Sequence, residues 1–248
     1  MVYFTERLDQ ILEILRQKKK VDVHYLSKKL FVSEPTIRRD LKILEEEGKI
    51  KRSYGGAVLG EFVNSEIPLV LRETESVAEK EIIASKAKEF ISDGDVLFLD
   101  ASSTTLALVK HLASFTNLTV VTNSPKTSLK LAEMQIRSFC TGGLLLENSI
   151  AYVGSLAERF VSNFNADIFF FSCRGISSDG VLSDSSIDES EIRRAMMAHA
   201  KKKVFLCASN KIGKEYMYKL TDLSNVDHII CDKEVPELSE KLKNNSKC

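Results

Sequence analysis

Two clusters of residues could do chemistry. In the first, Thr36, Arg38, Arg39 and Lys42 fall within the single stretch "TIRRDLK". Arginine can pair bidentately with guanine O6 and N7, and threonine can touch a thymine methyl or a phosphate. In the second, Asp100 precedes Ser102, Ser103, Thr104 and Thr105 in "LFLDASSTTLALVKHL". That order reads as strand, acid, hydroxyls, helix. The first N–H groups of a helix lack internal partners, so hydroxyl donors beside them make a place where an anion can bind.

The elements that position the first cluster can be traced from the N-terminus. Leu8, Ile11, Leu12 and Leu15 recur at i, i+3, i+4 and i+7, one apolar stripe of a helix that gives way to Lys18, Lys19 and Lys20. Asp22 is a good N-cap for a second, shorter helix carrying Val23, Leu26 and Leu30 inward. After the short "FVS" connection, Ser33 is the next N-cap and Pro35 sits in the first turn, where its missing N–H costs nothing. The third helix runs over about 34–47 and stops at Gly48. Ile37, Leu41 and Leu44 are its buried stripe; at 100° per residue Arg39 and Lys42 lie opposite, flanked by Thr36 and Arg38. "KIKRSYGGAVLG" then reads as a hairpin bringing Lys49, Lys51, Arg52 and Tyr54 beside that helix. A helix, a tight turn and a second helix with base-reading residues at its start is the helix-turn-helix arrangement, and the hairpin would lie along the backbone as a wing. Each phosphate neutralised there adds salt-dependent affinity without specifying sequence.

The second cluster belongs to a different kind of fold. A change of character over 61–72, which contains Pro68, marks a linker between a domain at 1–60 and one at 73–248. A helix is expected over 73–91, with Ile82, Ile83, Ala87, Phe90 and Ile91 on its apolar side. Six short, nearly all-apolar runs follow at 96–99, 118–121, 136–139, 168–171, 204–207 and 228–231. Runs apolar on both faces predict a mainly parallel sheet covered by helices on each side, an α/β domain. In such sheets ligands bind at the carboxyl ends of the strands. There the chain offers Thr122–Asn123–Ser124, Thr141–Gly142–Gly143, Ser172 to Gly175 including Arg174, and Ala208 to Lys211. Hydroxyls, an amide, open backbone at Gly143 and one or two cations would together cradle a phosphorylated polyol.

Composition sets the limits. The chain has 248 residues, 44% of them apolar, and a net charge of zero. The charge is segregated: residues 1–60 hold 13 basic against 9 acidic groups, and the remainder 22 against 26. A locally basic module on an acidic body is informative where the total is not. No run approaches a membrane span, the N-terminus lacks the pattern of a secretory signal, and the expected location is cytoplasmic. The five cysteines (Cys140, Cys173, Cys207, Cys231, Cys248) have no close spacing, which predicts reduced thiols buried at strand ends. His24, His111, His199 and His228 are equally dispersed, so neither a metal nor another cofactor is expected.

At this point the residues resemble a known family. "VDVHYLSKKLFVSEPTIRRDLKILEEEGKIKRSYGGAV" is similar to the N-terminal signature of the DeoR family of bacterial transcription regulators, except that Tyr54 stands where histidine is usual. "LDASSTT", "VVTNS", "TGG", "GISSDGV", "ESEIRRAMM" and "NKIG" resemble the family's sensor domain, whose fold is similar to ribose-5-phosphate isomerase and its coenzyme A transferase relatives. The resemblance implies a repressor of a sugar-metabolism operon that binds a double-stranded DNA operator as a homodimer or homotetramer. It implies release on binding a phosphorylated sugar, with loop 102–105 holding the phosphate and Asp100, Asn123, Glu191 and Lys211 nearer the sugar. Ser102, Ala208 and Arg174 depart from the family pattern, which has glycine, aspartate and a smaller residue there. The alternative is an isomerase-like enzyme with an appended DNA-binding domain, using Glu189 or Glu191 as a base. Acids at a helix N-terminus are already accounted for by its dipole, which favours the non-enzymatic regulator.

Overall fold

The computed structural model describes residues 4–18, 20–46, 49–53, 55–59, 68–236, 238 and 241, without the side chains of 4–6, 16–17, 20, 46, 51, 53, 58 and 59. The chain divides into two compact units, Met1–Ile67 and Pro68–Cys248. Tyr54 and Gly48, expected in the wing and at a helix end, lie outside the described residues, as does the side chain of Lys51.

The first unit comprises α1 (Phe4–Lys18), β1 (Lys20–Asp22), α2 (Val23–Leu30), α3 (Glu34–Glu46), β2 (Ile50–Ser53) and β3 (Gly56–Leu59). Its core joins Leu8, Ile11, Leu12 and Leu15 of α1 to Leu26 of α2 and Ile37, Leu41 and Leu44 of α3. The expected cap forms: Asp22 accepts the Tyr25 N–H at 2.7 Å. The hairpin is one strand richer than expected, because β1 pairs antiparallel with β3, giving the order β1-β3-β2. The Gly-Gly pair has a steric cause. Gly55 turns with φ +82°, and a Cβ on Gly56 would lie 2.2 Å from the Val21 carbonyl oxygen. Only glycine lets β1 come that close. A buried ion pair joins α1 to α3, with Arg7 Nε 2.6 Å from Asp40 Oδ2.

The second unit begins with α4 (Leu69–Thr74) and α5 (Val77–Ala87), where a single helix over 73–91 was expected. Residues 69–72, expected to end a linker, lie in α4. The break falls at Ser76, whose φ of +50° is incompatible with a continuing helix. Ile82, expected on the apolar side, is exposed. Then follow β4 (Val96–Leu99), α6 (Ser103–Leu108), β5 (Thr119–Thr122), α7 (Pro125–Glu133), β6 (Arg137–Cys140), β7 (Leu144–Leu146), β8 (Ala151–Val153) and α8 (Ser155–Val161). The chain continues through β9 (Ala166–Phe171), β10 (Gly175–Ile176), β11 (Val181–Asp184), α9 (Ile187–Ala198), β12 (Ala200–Cys207), β13 (Tyr218–Asp222) and β14 (His228–Cys231).

All six expected core strands share one sheet, in the order β14-β12-β9-β4-β5-β6, and every pairing in it is parallel. Each run is apolar on both faces because both faces are covered. Leu97, Leu99, Ile168, Phe170, Val204 and Leu206 point into one core, and Phe98, Phe169, Phe171 and Phe205 into the other. From β4 the chain builds outward through β5 and β6, and from β9 it builds the opposite way through β12 and β14. The strand order therefore reverses between β4 and β9, the topological switch point where such sheets open a crevice at their carboxyl ends.

The Arg7–Asp40 pair yields a prediction. Asp40→Ala removes the buried acid and leaves a partly exposed Arg7, which costs about 1–3 kcal/mol. Hydrogen exchange of the α1 and α3 amides should accelerate accordingly, while protection of β4 and β9 stays unchanged.

Candidate functional site

In the first unit, Arg38, Arg39 and Lys42 are exposed along α3, and Thr36 is half-buried. Ser33 Oγ lies 2.9 Å from Thr36 Oγ1 at the helix start. Arg38 shares an exposed ion pair with Glu34 at 3.3 Å, a link that surface solvation keeps weak. Ile37, Asp40, Leu41 and Leu44 are buried on the opposite side, so packing fixes the rotation that leaves the basic face outward. Arg52 is exposed and also bonds Glu45. Its backbone N–H and guanidinium both bond Glu45, at 2.9 Å and 2.5 Å, which fastens the hairpin to the end of α3. The Arg52 backbone bond, with the guanidinium, holds the Glu45 carboxyl below the usual carboxylate range. Glu45, near the end of α3, thus clamps the hairpin.

In the second unit the crevice is organised around a guanidinium absent from the expected set, Arg193. It is buried on α9 and meets three carboxylates: Asp100 at 2.7 Å, Asp184 at 3.0 Å and Glu189 at 3.4 Å. Burial works against its charge, but Asp184, Asp100 and Glu189 outweigh burial and raise its pKa. Asp100 is held further by the backbone N–H groups of Ser102 and Ser172, both at 3.2 Å. Its lone pairs are thereby occupied, and it ties β4, β9 and α9 together.

The hydroxyl loop divides its labour. Ser102 caps α6 by accepting the Thr105 N–H at 3.2 Å, a use of the hydroxyl that glycine could not supply. Thr105 Oγ1 donates inward, 2.8 Å from the Asp100 carbonyl oxygen. Ser103 is buried beside them. Thr104 Oγ1 is buried and has no hydrogen-bond partner among the described residues. Asn123 presents a second such atom: its Nδ2 donates to the Tyr152 carbonyl at 3.0 Å, while its Oδ1 has no partner among them. An unsatisfied buried polar atom is costly unless something arrives to satisfy it.

Cations gather at the same edge. Lys211 Nζ donates to Ser172 Oγ at 2.7 Å. Burial lowers the Lys211 pKa, although Cys173, Cys207 and Asp100 oppose the shift. Arg174 is half-buried and within electrostatic reach of Arg72. Arg72 and Lys80 are the contribution of the α4–α5 break, and neither was among the expected site residues. Lys80 is 7% exposed and donates to the carbonyls of Arg72 and Glu75, the latter at 2.6 Å. Burial, with Lys211 next in effect, lowers its pKa to about 8. Five cations (Arg72, Lys80, Arg174, Arg193, Lys211) thus gather near the buried carboxylates Asp100, Asp184 and Glu189, with Glu73 and Glu75 beside Lys80. A cavity of about 440 Å³ reaches this edge only at Lys80 and Ser103, and Glu73, Glu81 and Glu133 also line it.

Two expected residues stand apart. Glu191 pairs with Arg194, which in turn bonds the Lys219 and Leu220 carbonyls, so α9 presents Glu189 and Arg193 to the crevice instead. Gly143 is required for packing, since a Cβ there would meet the Val153 carbonyl oxygen at 2.7 Å. Among the described residues, no three His, Cys, Asp or Glu side chains are placed to hold a metal, and no helix is long and apolar enough to cross a membrane.

Comparison with known proteins decides the lineage. The DeoR-like helix-turn-helix domain matches residues 7–62, and the DeoR C-terminal sensor domain matches 75–233. The chain belongs to the DeoR family. The regulator GolR of Listeria innocua is 36% identical over 93% of this chain and 91% of its own length. The uncharacterised regulator YulB of Bacillus subtilis is 35% identical over 98% and 94%. Among solved structures, a ribose-5-phosphate isomerase in complex with phospho-erythronic acid aligns at 17% identity with a TM-score of 0.42. It covers 54% of this chain and 52% of that one, too slight a likeness to support an argument.

Lys80 gives this DeoR-family site a pH signature. With its pKa lowered from 10.5 to about 8, the folded chain gives up the proton before the unfolded chain does. Stability therefore gains from this group as pH rises between those values, and the cost of burying its charge is full below pH 8. Relative to Lys80→Met, the unaltered chain should gain on the order of 1–3 kcal/mol in urea unfolding from pH 7.5 to 10.

Proposed function

We propose that this protein is a cytoplasmic repressor of a sugar-metabolism operon, released from its operator by a phosphorylated sugar and without enzymatic activity of its own. Thr104 carries the reading of the effector site: a buried hydroxyl without a partner among the described residues, beside a crevice where Lys211, Arg72 and Arg174 gather. A phosphate monoester brings about −1.5 to −2 charge and three strong acceptor oxygens, which complements both features. Ser103, Thr104, Lys80, Lys211 and Arg174 take the phosphate end, and Asn123 a sugar hydroxyl. Asp100 acts through Arg193 and the loop rather than on the ligand. The lactose phosphotransferase system repressor of Staphylococcus epidermidis, 29% identical over 96% of both chains, supports a sugar-linked operon.

DNA recognition falls to Ser33, Thr36, Arg38, Arg39 and Lys42 in the major groove, with Lys51, Arg52 and Tyr54 along the backbone. Palindromic half-sites read by such modules call for a homodimer or homotetramer. The isomerase alternative needs a carboxylate able to move a proton between adjacent carbons. Asp100, Asp184 and Glu189 are all committed to Arg193, and Glu191 to Arg194, which leaves that chemistry without a base.

Two measurements test the proposal. Thr104→Val keeps the shape and removes a hydroxyl that bonds nothing among the described residues, so the fold should hold or gain stability. Its thermal shift with the sugar phosphate that stabilises the unaltered chain should fall sharply, while operator affinity without effector stays the same. An undiminished shift refutes the loop's role. Arg39→Ala should cost about 1–3 kcal/mol of operator affinity and little affinity for random duplex. Equal loss on both DNAs would remove Arg39 from base reading.

A further inference from the structure

Strands β12 and β14 run parallel in a register that sets Cys207 directly opposite Cys231. Although 24 residues separate them in the chain, both thiols are free, and that of Cys207 donates to the Ala208 carbonyl at 3.6 Å. Neighbouring strands lie about 4.8 Å apart. That falls within the Cα separation of roughly 4.4–6.8 Å that a disulfide spans. Strand β14 is the outermost of the sheet, with a neighbour on one side only, so it can shift slightly to accommodate a cross-link.

The two thiols are not equivalent. Cys207 is fully buried, whereas Cys231 is half-buried and lines a cavity of about 650 Å³ together with Lys86 and Lys233. The neighbouring Cys207 lowers the Cys231 pKa, while Cys231 and burial raise that of Cys207. Thiolate character and access together select the sulfur that reacts first.

We propose that Cys207 and Cys231 form a reversible redox site whose oxidant is a hydroperoxide entering from the Cys231 side. The Cys231 thiolate attacks one peroxide oxygen, the O–O bond breaks, and Cys231 becomes a sulfenic acid as the first water (or alcohol) leaves. The Cys207 sulfur then attacks Cys231, the S–OH bond breaks, and a second water leaves as the disulfide forms. The dithiol loses two electrons and two protons, and the peroxide gains them. The cross-link would sit at the root of the turn that carries Lys211. Ser209 in that turn already bonds Asp232 at 2.6 Å and 2.8 Å, immediately beyond the two cysteines. Oxidation would therefore shift Lys211 and weaken anion binding; this consequence alone rests on the effector-site reading above.

The full chain is treated with hydrogen peroxide, alkylated and mapped by peptide mass. The expected result is a Cys207–Cys231 cross-link, loss of two free thiols per chain, and recovery of both with dithiothreitol. In Cys207→Ser, Cys231 should accumulate as a dimedone-trapped sulfenic acid. A cross-link elsewhere, or sulfinic acid at Cys231 without any cross-link in the unaltered chain, overturns the proposal and needs no variant to fold. Phosphate affinity is then compared in the reduced and cross-linked forms. Weaker binding when cross-linked supports the link to Lys211, and equal binding refutes that link while leaving the redox site in place.

Discussion

The second unit depends on one buried guanidinium. Arg193 has almost no contact with water, and a charge taken out of water is tolerated only when paired and hydrogen-bonded in good geometry. Asp100 at the end of β4, Asp184 at the end of β11 and Glu189 one turn back on α9 meet that demand. Satisfying Arg193 fixes three elements at once, and with them the direction of the hydroxyl loop that follows Asp100. The ion pair cluster is thus a positioning device. It also fills the lone pairs of residues that would otherwise have been natural ligands for a sugar.

Three carboxylates around one guanidinium leave a local negative excess, which the surrounding cations offset. Arg72, Lys80, Arg174 and Lys211 lie within electrostatic reach of one another there, with Glu73 and Glu75 beside Lys80. Like charges held together are unfavourable, and a dianion relieves them. A ligand can move a regulator between states only through a difference in its affinity for them. Lys80 is well placed to create one, because its ammonium is shared between the site and the two carbonyls that close the α4–α5 turn. An anion bound there would compete for that ammonium, which would couple ligand and turn through one group.

Much of this was legible in the sequence. The six core strands are short runs apolar on both faces, which a sheet covered on both sides accommodates and a half-exposed one does not. The α3 stripe likewise predicted which arginines face outward. Features that depend on register, or on a break without a signal, were not legible. "ETESVAEKEII" has nothing that forbids one continuous helix, so the turn at Ser76, and with it Arg72 and Lys80, stayed hidden. Glu189 and Arg193 sit in "ESEIRRAMM", where alternating charges look like a solvated face; tertiary packing turns that face inward and leaves Glu191 outside. Asp40 drew no attention among the bases of "TIRRDL", since its partner Arg7 lies 33 residues away. The Cys207–Cys231 contact exists only through sheet order, which no local pattern encodes.

On the proposed function, an anion would sit between Thr104 and the α4–α5 cations. The most direct measurement is a crystal structure of the chain with a sugar phosphate that raises its melting temperature. Phosphoryl density within hydrogen-bond distance of Thr104 Oγ1 and of Lys80 or Lys211 is the predicted result. A ligand bound elsewhere, with that crevice unchanged from the free protein, would contradict it.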